Sequence, residues 1–176
     1  RDRREGARGG PGISTGDAMK GRSLYAVLLP TLECQMECAY CFAQPHPGRW
    51  SVQATTDLVD AIVEMAGGRE CEMLCLHWQG GEPLLMGRAY WERVLPHARE
   101  RAARAGVALE QTMQTNLLLW DDWVADLARE HLGARLGTSF EPHAGRRLPG
   151  DVDGGPRFRR LWQEAHARAT AAGIEV

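Results

Sequence analysis

Cys34, Cys38 and Cys41 stand in a C-x3-C-x2-C array within one short segment, Cys34-Gln35-Met36-Glu37-Cys38-Ala39-Tyr40-Cys41-Phe42. Three thiolates this close in sequence can converge on one metal centre, yet three cannot saturate it. Structural zinc is usually closed by four ligands, and iron–sulfur cubanes usually take four cysteines. A three-ligand site leaves one position open, and an open position is where a metal centre does chemistry. The competing reading of the same residues is a zinc-binding interaction module closed by His46, five residues after Cys41, in a loop stiffened by Pro45 and Pro47.

Three further polar groups punctuate the chain. In Gly80-Gly81-Glu82-Pro83, two glycines permit positive φ and close backbone approach to a ligand, and carbonyls with the Glu82 carboxylate can accept hydrogen bonds from an ammonium group. The plain alternative is a tight strand-to-helix turn. Gln114-Thr115-Asn116 can bond a ligand or simply end a strand, with Asn116 as a cap. Ser139-Phe140-Glu141-Pro142-His143, followed by Arg146 and Arg147, is the last. His77 lies on an apolar run and reads as a core or barrel-lining histidine, and His143 as a loop histidine. The six tryptophans fall mainly at helical packing positions, Trp78 beside the glycines excepted.

The elements that must hold these groups alternate regularly. Leu24–Leu29 is a short apolar run stopped by Pro30, which suits a buried strand. Thr55 or Thr56 caps a helix with Leu58, Ile62, Met65 and Ala66 on one face, ended by Gly67-Gly68. Met73–Trp78 is a second strand. A helix from about Ala89 to Ala105 turns Trp91, Val94, Leu95, Ala98 and Ala102 inward, with Pro96 as a point of kinking. A third strand runs from about Val107 to Met113, and Asp121 caps a helix carrying Trp123, Val124, Leu127 and Ala128. Leu136–Phe140 reads as a fourth strand and Pro156 opens a last helix with Phe158, Leu161, Trp162 and Ala165 inward. Ile174-Glu175-Val176 opens a fifth strand. Strand–helix alternation builds a parallel sheet, and every polar group follows a strand's C-terminal end, the edge where α/β proteins assemble their sites. The fold class is therefore α/β, a partial TIM-type (β/α) barrel truncated after about four βα units; a doubly wound open sheet competes. Residues 1–21, rich in Arg and Gly, read as a disordered leader, and 22–176 as the partial core domain.

The 176 residues are 44% hydrophobic and 25% charged, enough for one sizeable core. A net charge of -2 gives no reason to expect nucleic acid or an anionic membrane as partner. No apolar run approaches the ~18 residues of a membrane span. Five cysteines, three of them clustered, suit a metal in a reducing, cytoplasmic setting better than a disulfide framework; Cys71 and Cys75 read as buried small hydrophobes.

The C-x3-C-x2-C array, with Tyr40 before its last cysteine, resembles the signature of the radical S-adenosylmethionine (radical SAM) superfamily. Trp78-Gln79-Gly80-Gly81-Glu82-Pro83-Leu84-Leu85 together with Gln114-Thr115-Asn116 is similar to the anaerobic sulfatase maturases and related peptide-modifying members, many of which carry a C-terminal SPASM domain with extra clusters. The resemblance implies a [4Fe–4S] cluster on Cys34, Cys38 and Cys41, with SAM on the open iron and cleaved to a 5′-deoxyadenosyl radical that abstracts hydrogen. It implies cofactor contacts from Tyr40 at the adenine, from Gly80, Gly81 and Glu82 at the methionyl amine, from Asn116, from Ser139 at the ribose and from Arg147 at the carboxylate. A peptide or protein substrate and an electron donor such as flavodoxin or ferredoxin follow from it. Glu141 and Pro142 depart from the Asp and Gly typical of that subgroup. The family core usually has six strand–helix units, so the chain reads as a fragment of a longer enzyme or a short form needing a partner. A catalytically degenerate, peptide-binding radical SAM-like domain is a further alternative.

Overall fold

The computed structural model describes residues 22–43, 45–140, 145, 148–150 and 155–176. The expected leader over residues 1–21 lies outside these, as do Glu141, Pro142, His143, Arg146 and Arg147.

Three six-residue strands, β1 (Ser23–Leu28), β2 (Met73–Trp78) and β3 (Ala108–Met113), pair in parallel in the order β1-β2-β3. Their register places Tyr25 beside Cys75 and Cys75 beside Glu110, then Val27 beside His77 and His77 beside Thr112. Successive side chains alternate faces, so the same register puts Leu74, Leu76 and Trp78 on the opposite side, where they are buried. That side is covered by helices α1 (Val52–Gly68), α2 (Arg88–Arg104), α3 (Asp122–His131) and α4 (Pro156–Ala171). The uncovered side carries Tyr25 and Val27, 62% and 52% exposed, so β1 is buried on one face and open on the other. Cys75 is likewise only half-buried, its thiol 3.8 Å from Glu110 Oε2, while Cys71 is buried as expected.

α2 buries Trp91, Val94, Leu95, Ala98 and Ala102, and it runs unbroken through Pro96. α1 differs from expectation. Its cap is Ser51, whose Oγ accepts from Ala54 N at 3.1 Å. Thr55 lies inside the helix and is fully buried, its hydroxyl donating to Ser51 O at 3.0 Å and accepting from Tyr90 Oη at 2.6 Å. The buried stripe is Thr55, Val59, Val63 and Ala66, which leaves Leu58 and Met65 exposed. A threonine with its hydroxyl satisfied takes the core position, and the apolar stripe rotates by one residue.

The expected fourth strand is reduced to single contacts. Gly137 N donates to Met113 O at 2.8 Å and Thr115 N to Gly137 O at 2.9 Å; Leu136 N donates to Glu175 O and Glu175 N to Ala134 O, both at 2.9 Å. These form isolated parallel bridges, Gln114–Gly137 and Arg135–Glu175. The alignment thus continues past β3, and Gly133 and Ala134, at φ 63° and 57°, turn the chain immediately before it. Among the described residues, no helix is long and apolar enough to cross a membrane.

Candidate active site at the strand ends

The segment between β1 and α1 is an arch with a closed stem. Thr31 pairs antiparallel with Arg49, Thr31 Oγ1 donates to Gly48 O at 2.8 Å, and Trp50 N donates to Pro30 O at 2.9 Å. Arg49 donates twice to Glu33 Oε2, at 2.9 and 2.7 Å, and through Nη1 to Leu85 O at 2.7 Å. The arginine hydrogen bonds, foremost, with that from Gly48 N, hold the Glu33 carboxyl below its ordinary pKa. One guanidinium therefore clamps the base of the cysteine arch to the short 3-10 turn Pro83–Met86.

The glycines fit against this stem. Gly81 N donates to Thr31 O at 3.0 Å and Glu82 N to Glu33 O at 2.8 Å. Gly80 has φ 129°, and a Cβ there would lie 2.2 Å from Thr31 O; one on Gly81 would lie 2.1 Å from Glu33 O. Both positions need glycine because the cysteine arch itself comes this close. The sequence suggests close approach to a ligand; the structure shows close approach to the protein's own backbone.

Glu82 joins two of the loops at this edge. It is fully buried and is not among the residues lining the cavity described below. Its Oε1 accepts from Leu84 N at 3.0 Å and Thr115 Oγ1 at 2.7 Å, and its Oε2 accepts from Asn116 N at 2.8 Å. Burial pushes its carboxyl upward, against the lowering effect of those three donors. The carboxylate ties the turn after β2 to the end of β3. There Leu117, fully buried, adopts a left-handed φ of 64°, a conformation costing about 1 kcal/mol for a non-glycine residue. Hydrogen bonds from Leu117 N to Thr115 Oγ1 and from Leu118 N to Asn116 Oδ1 hold it.

These loops enclose a cavity of ≈ 400 Å³, within the roughly 300–1,000 Å³ usual for small-molecule sites. Cys34, Cys38, Cys41, Tyr40, Gly80, Gly81, Asn116 and Ser139 all line it, so the structure brings together every described site residue except Glu82. Ser139 Oγ accepts from Gln114 Nε2 at 3.2 Å. Arg147 lies outside the described residues. His77 also lines the cavity, its Nδ1 2.7 Å from Thr112 Oγ1; burial lowers its pKa, favouring neutral imidazole. Trp78, by contrast, is fully buried, edge-on to Trp91 at 5.3 Å, and is packing.

Two residues that hold the site escape sequence reasoning. Met36, inside the C-x3-C spacing, is 3% exposed and joins Leu148 and Phe158 in a small second core, against which Cys34 and Cys38 pack. Gln35 donates through Nε2 to Asn116 Oδ1 at 3.0 Å. An apolar residue between closely spaced cysteines is a signal for the first; nothing local marks the second.

The thiols are unequal. Cys34 is half-buried, and burial raises its pKa against the lowering effect of the Met36 N–H, with smaller upward pushes from Glu82, Cys38 and Cys41. Cys41 is exposed, its Sγ donating to Ala43 O at 2.9 Å. Among the described residues, no three His, Cys, Asp or Glu side chains stand at metal-holding geometry. The fit to a metal centre rests on the donor chemistry: three cysteines outside any disulfide line one cavity, with N–H donors aimed at one sulfur. His46 is not among the residues lining this cavity; it lines a neighbouring one that it shares with Cys34.

No protein-family model matches the chain. In fold it matches solved structures of anSMEcpe. The polyhistidine-tagged protein with bound AdoMet aligns with TM-score 0.68 and 20% identity, over 88% of this chain and 42% of that one. The native protein with bound AdoMet and Cp18Cys peptide aligns with TM-score 0.69 and 21% identity over the same shares. The chain thus shares its α/β fold with part of those structures. In sequence, the chain is 33% identical over 113 residues to the serine-type anaerobic sulfatase-maturating enzyme of Klebsiella aerogenes, covering 61% of this chain. It spans about a quarter, 27%, of that relative's length. The resemblance carried by the cysteine and glycine motifs is therefore met independently in sequence and in fold.

Proposed function

We propose that this chain is the cofactor-binding part of a radical SAM enzyme acting on a peptide or protein, of the sulfatase-maturation or peptide-maturation type. The observation that carries the proposal is the single cavity shared by the three thiols, the Gly80-Gly81 turn, Asn116 and Ser139. Residues 22–176 form the domain that holds it. Cys34, Cys38 and Cys41 would hold a [4Fe–4S] cluster, which when bound supplies the electron that cleaves SAM to a 5′-deoxyadenosyl radical.

The chain's own residues do the rest. The Gly80 and Gly81 backbone, fixed against the cysteine arch, offers carbonyls to the methionyl amine. Glu82 keeps that turn and the Asn116 turn in one geometry, a supporting role rather than a contact. Ser139 serves the ribose hydroxyls, and Tyr40, exposed at the rim, offers its ring to the adenine. Arg147 is assigned to the SAM carboxylate on resemblance alone. Cysteines outside any disulfide fit a reducing, cytoplasmic compartment, with flavodoxin or ferredoxin as electron donor. A peptide substrate is supported by the peptide bound to anSMEcpe.

Incubating the anaerobically reconstituted full-length protein with SAM and dithionite tests this. We expect 5′-deoxyadenosine from the wild type and none from Cys34→Ala, Cys38→Ala or Cys41→Ala. Equal product from all four proteins would refute the proposal.

A further inference from the structure

Asn116 stands in an unusual position for a cavity-lining amide. Its Oδ1 is used twice, by Gln35 Nε2 at 3.0 Å and by Leu118 N at 3.0 Å. Both partners are donors, so the oxygen is fixed on that side and the amide nitrogen is turned the other way. There Nδ2 meets Cys34 Sγ at 3.8 Å. A second donor, Met36 N, reaches the same sulfur at 3.4 Å. In its thiol form, Cys34 also contacts Gln35 Oε1 at 3.9 Å. The backbone of Asn116 is anchored in turn by the buried Glu82 carboxylate at 2.8 Å. Three strand ends are thereby linked through one side chain: the turn after β2 holds Asn116, and Asn116 addresses the cysteine after β1.

We infer that Asn116 is a positioning residue for the metal centre, donating to the Cys34 sulfur and raising the reduction potential of the cluster that this sulfur ligates. The inference rests on the radical SAM assignment and gives Asn116 a role distinct from a SAM contact. The physics is electrostatic. Reduction adds electron density to the cluster and its thiolates, and an N–H dipole aimed at a sulfur stabilises the electron-rich form. Cys41, whose thiol faces the Ala43 carbonyl, meets an acceptor instead. Gln35 acts one step further out, by holding the carboxamide in the donating orientation.

The test is an equilibrium redox titration of the reconstituted full-length protein, followed by the EPR signal of the reduced cluster. Asn116→Asp keeps both oxygen-acceptor contacts but replaces the donor by a carboxylate oxygen and adds a negative charge that pushes the potential the same way, so the uncharged Gln35→Leu is read beside it. We expect its reduced-to-oxidised ratio at a fixed potential to fall roughly tenfold, a downward shift of about 59 mV for one electron. Gln35→Leu should shift the same way by a smaller amount, roughly threefold in that ratio, with full iron and sulfide content. Should Asn116→Asp fail to take up the cluster, Gln35→Leu decides: an unchanged potential overturns the inference. An unchanged potential in a fully loaded Asn116→Asp overturns it as well. A wild-type protein that takes up no iron and sulfide fails earlier, and overturns the functional assignment itself.

Discussion

The two halves of the cysteine arch are built differently. The first, through Met36, is locked: Glu33 is gripped by Arg49, Met36 is buried in a satellite core, and Cys34 receives backbone and side-chain N–H groups. The second, from Tyr40 to Phe42, is open: Tyr40 is 43% exposed and Phe42 80%, and the Cys41 thiol bonds Ala43 O within its own loop. Both halves face one cavity. The contrast suggests a division of labour in which the Cys34 side sets the position and electrostatics of a bound centre, while the Tyr40 side can adjust to what enters.

Single substitutions probe this contrast. Gly81→Ala has the largest expected effect: its Cβ would press on a backbone oxygen of the arch stem, which has no flexible side chain to yield. A loss of about 4 kcal/mol is expected, at the severe end for overpacking, read from denaturant midpoints. Met36→Ala, in the locked half, should cost about 2–3 kcal/mol, whereas Phe42→Ala in the open half should stay within about 0.5 kcal/mol. Equal losses at the two positions would erase the distinction. Glu82→Gln replaces an acceptor by a donor facing an N–H or hydroxyl group, and about 2 kcal/mol should follow.

A comparably small effect lies away from the arch and serves as a reference. Asp60 on α1 bonds His97 and Arg101 of α2 at 2.7 and 2.8 Å. Burial raises its pKa, but the His97 and Arg101 hydrogen bonds more than offset this and leave it lowered. Its contribution is therefore present above the unfolded aspartate pKa and lost as pH falls through the lower folded value. Asp60→Asn should cost roughly 0.5 kcal/mol near neutrality, and the difference from wild type should close in acid.

Much of the site is legible in the sequence because its information is local. Cysteine spacing, paired glycines and polar residues after apolar runs mark the strand ends directly, and strand–helix alternation brings those ends to one edge. What is not legible depends on neighbours distant in the chain. The α1 stripe is ambiguous because Leu58 and Met65 offer as apolar a face as Val59 and Val63; the Tyr90 hydroxyl decides it by donating to Thr55 in the core. The direction of the Glu82 carboxylate is set by donors about thirty residues later, on Thr115 and Asn116. Trp78 sits beside the glycines in sequence, yet strand alternation carries it to the helix side.

Everything above turns on whether three thiols of unequal anchoring hold one open-site iron–sulfur cluster. Iron, sulfide and zinc content of the anaerobically prepared full-length protein, with the EPR spectrum of its reduced form recorded before and after adding SAM, decides this. We expect iron and sulfide in equal amounts, no stoichiometric zinc, and a spectrum that changes when SAM is added. One zinc per chain without sulfide, or a cluster spectrum indifferent to SAM, would be incompatible with such a centre.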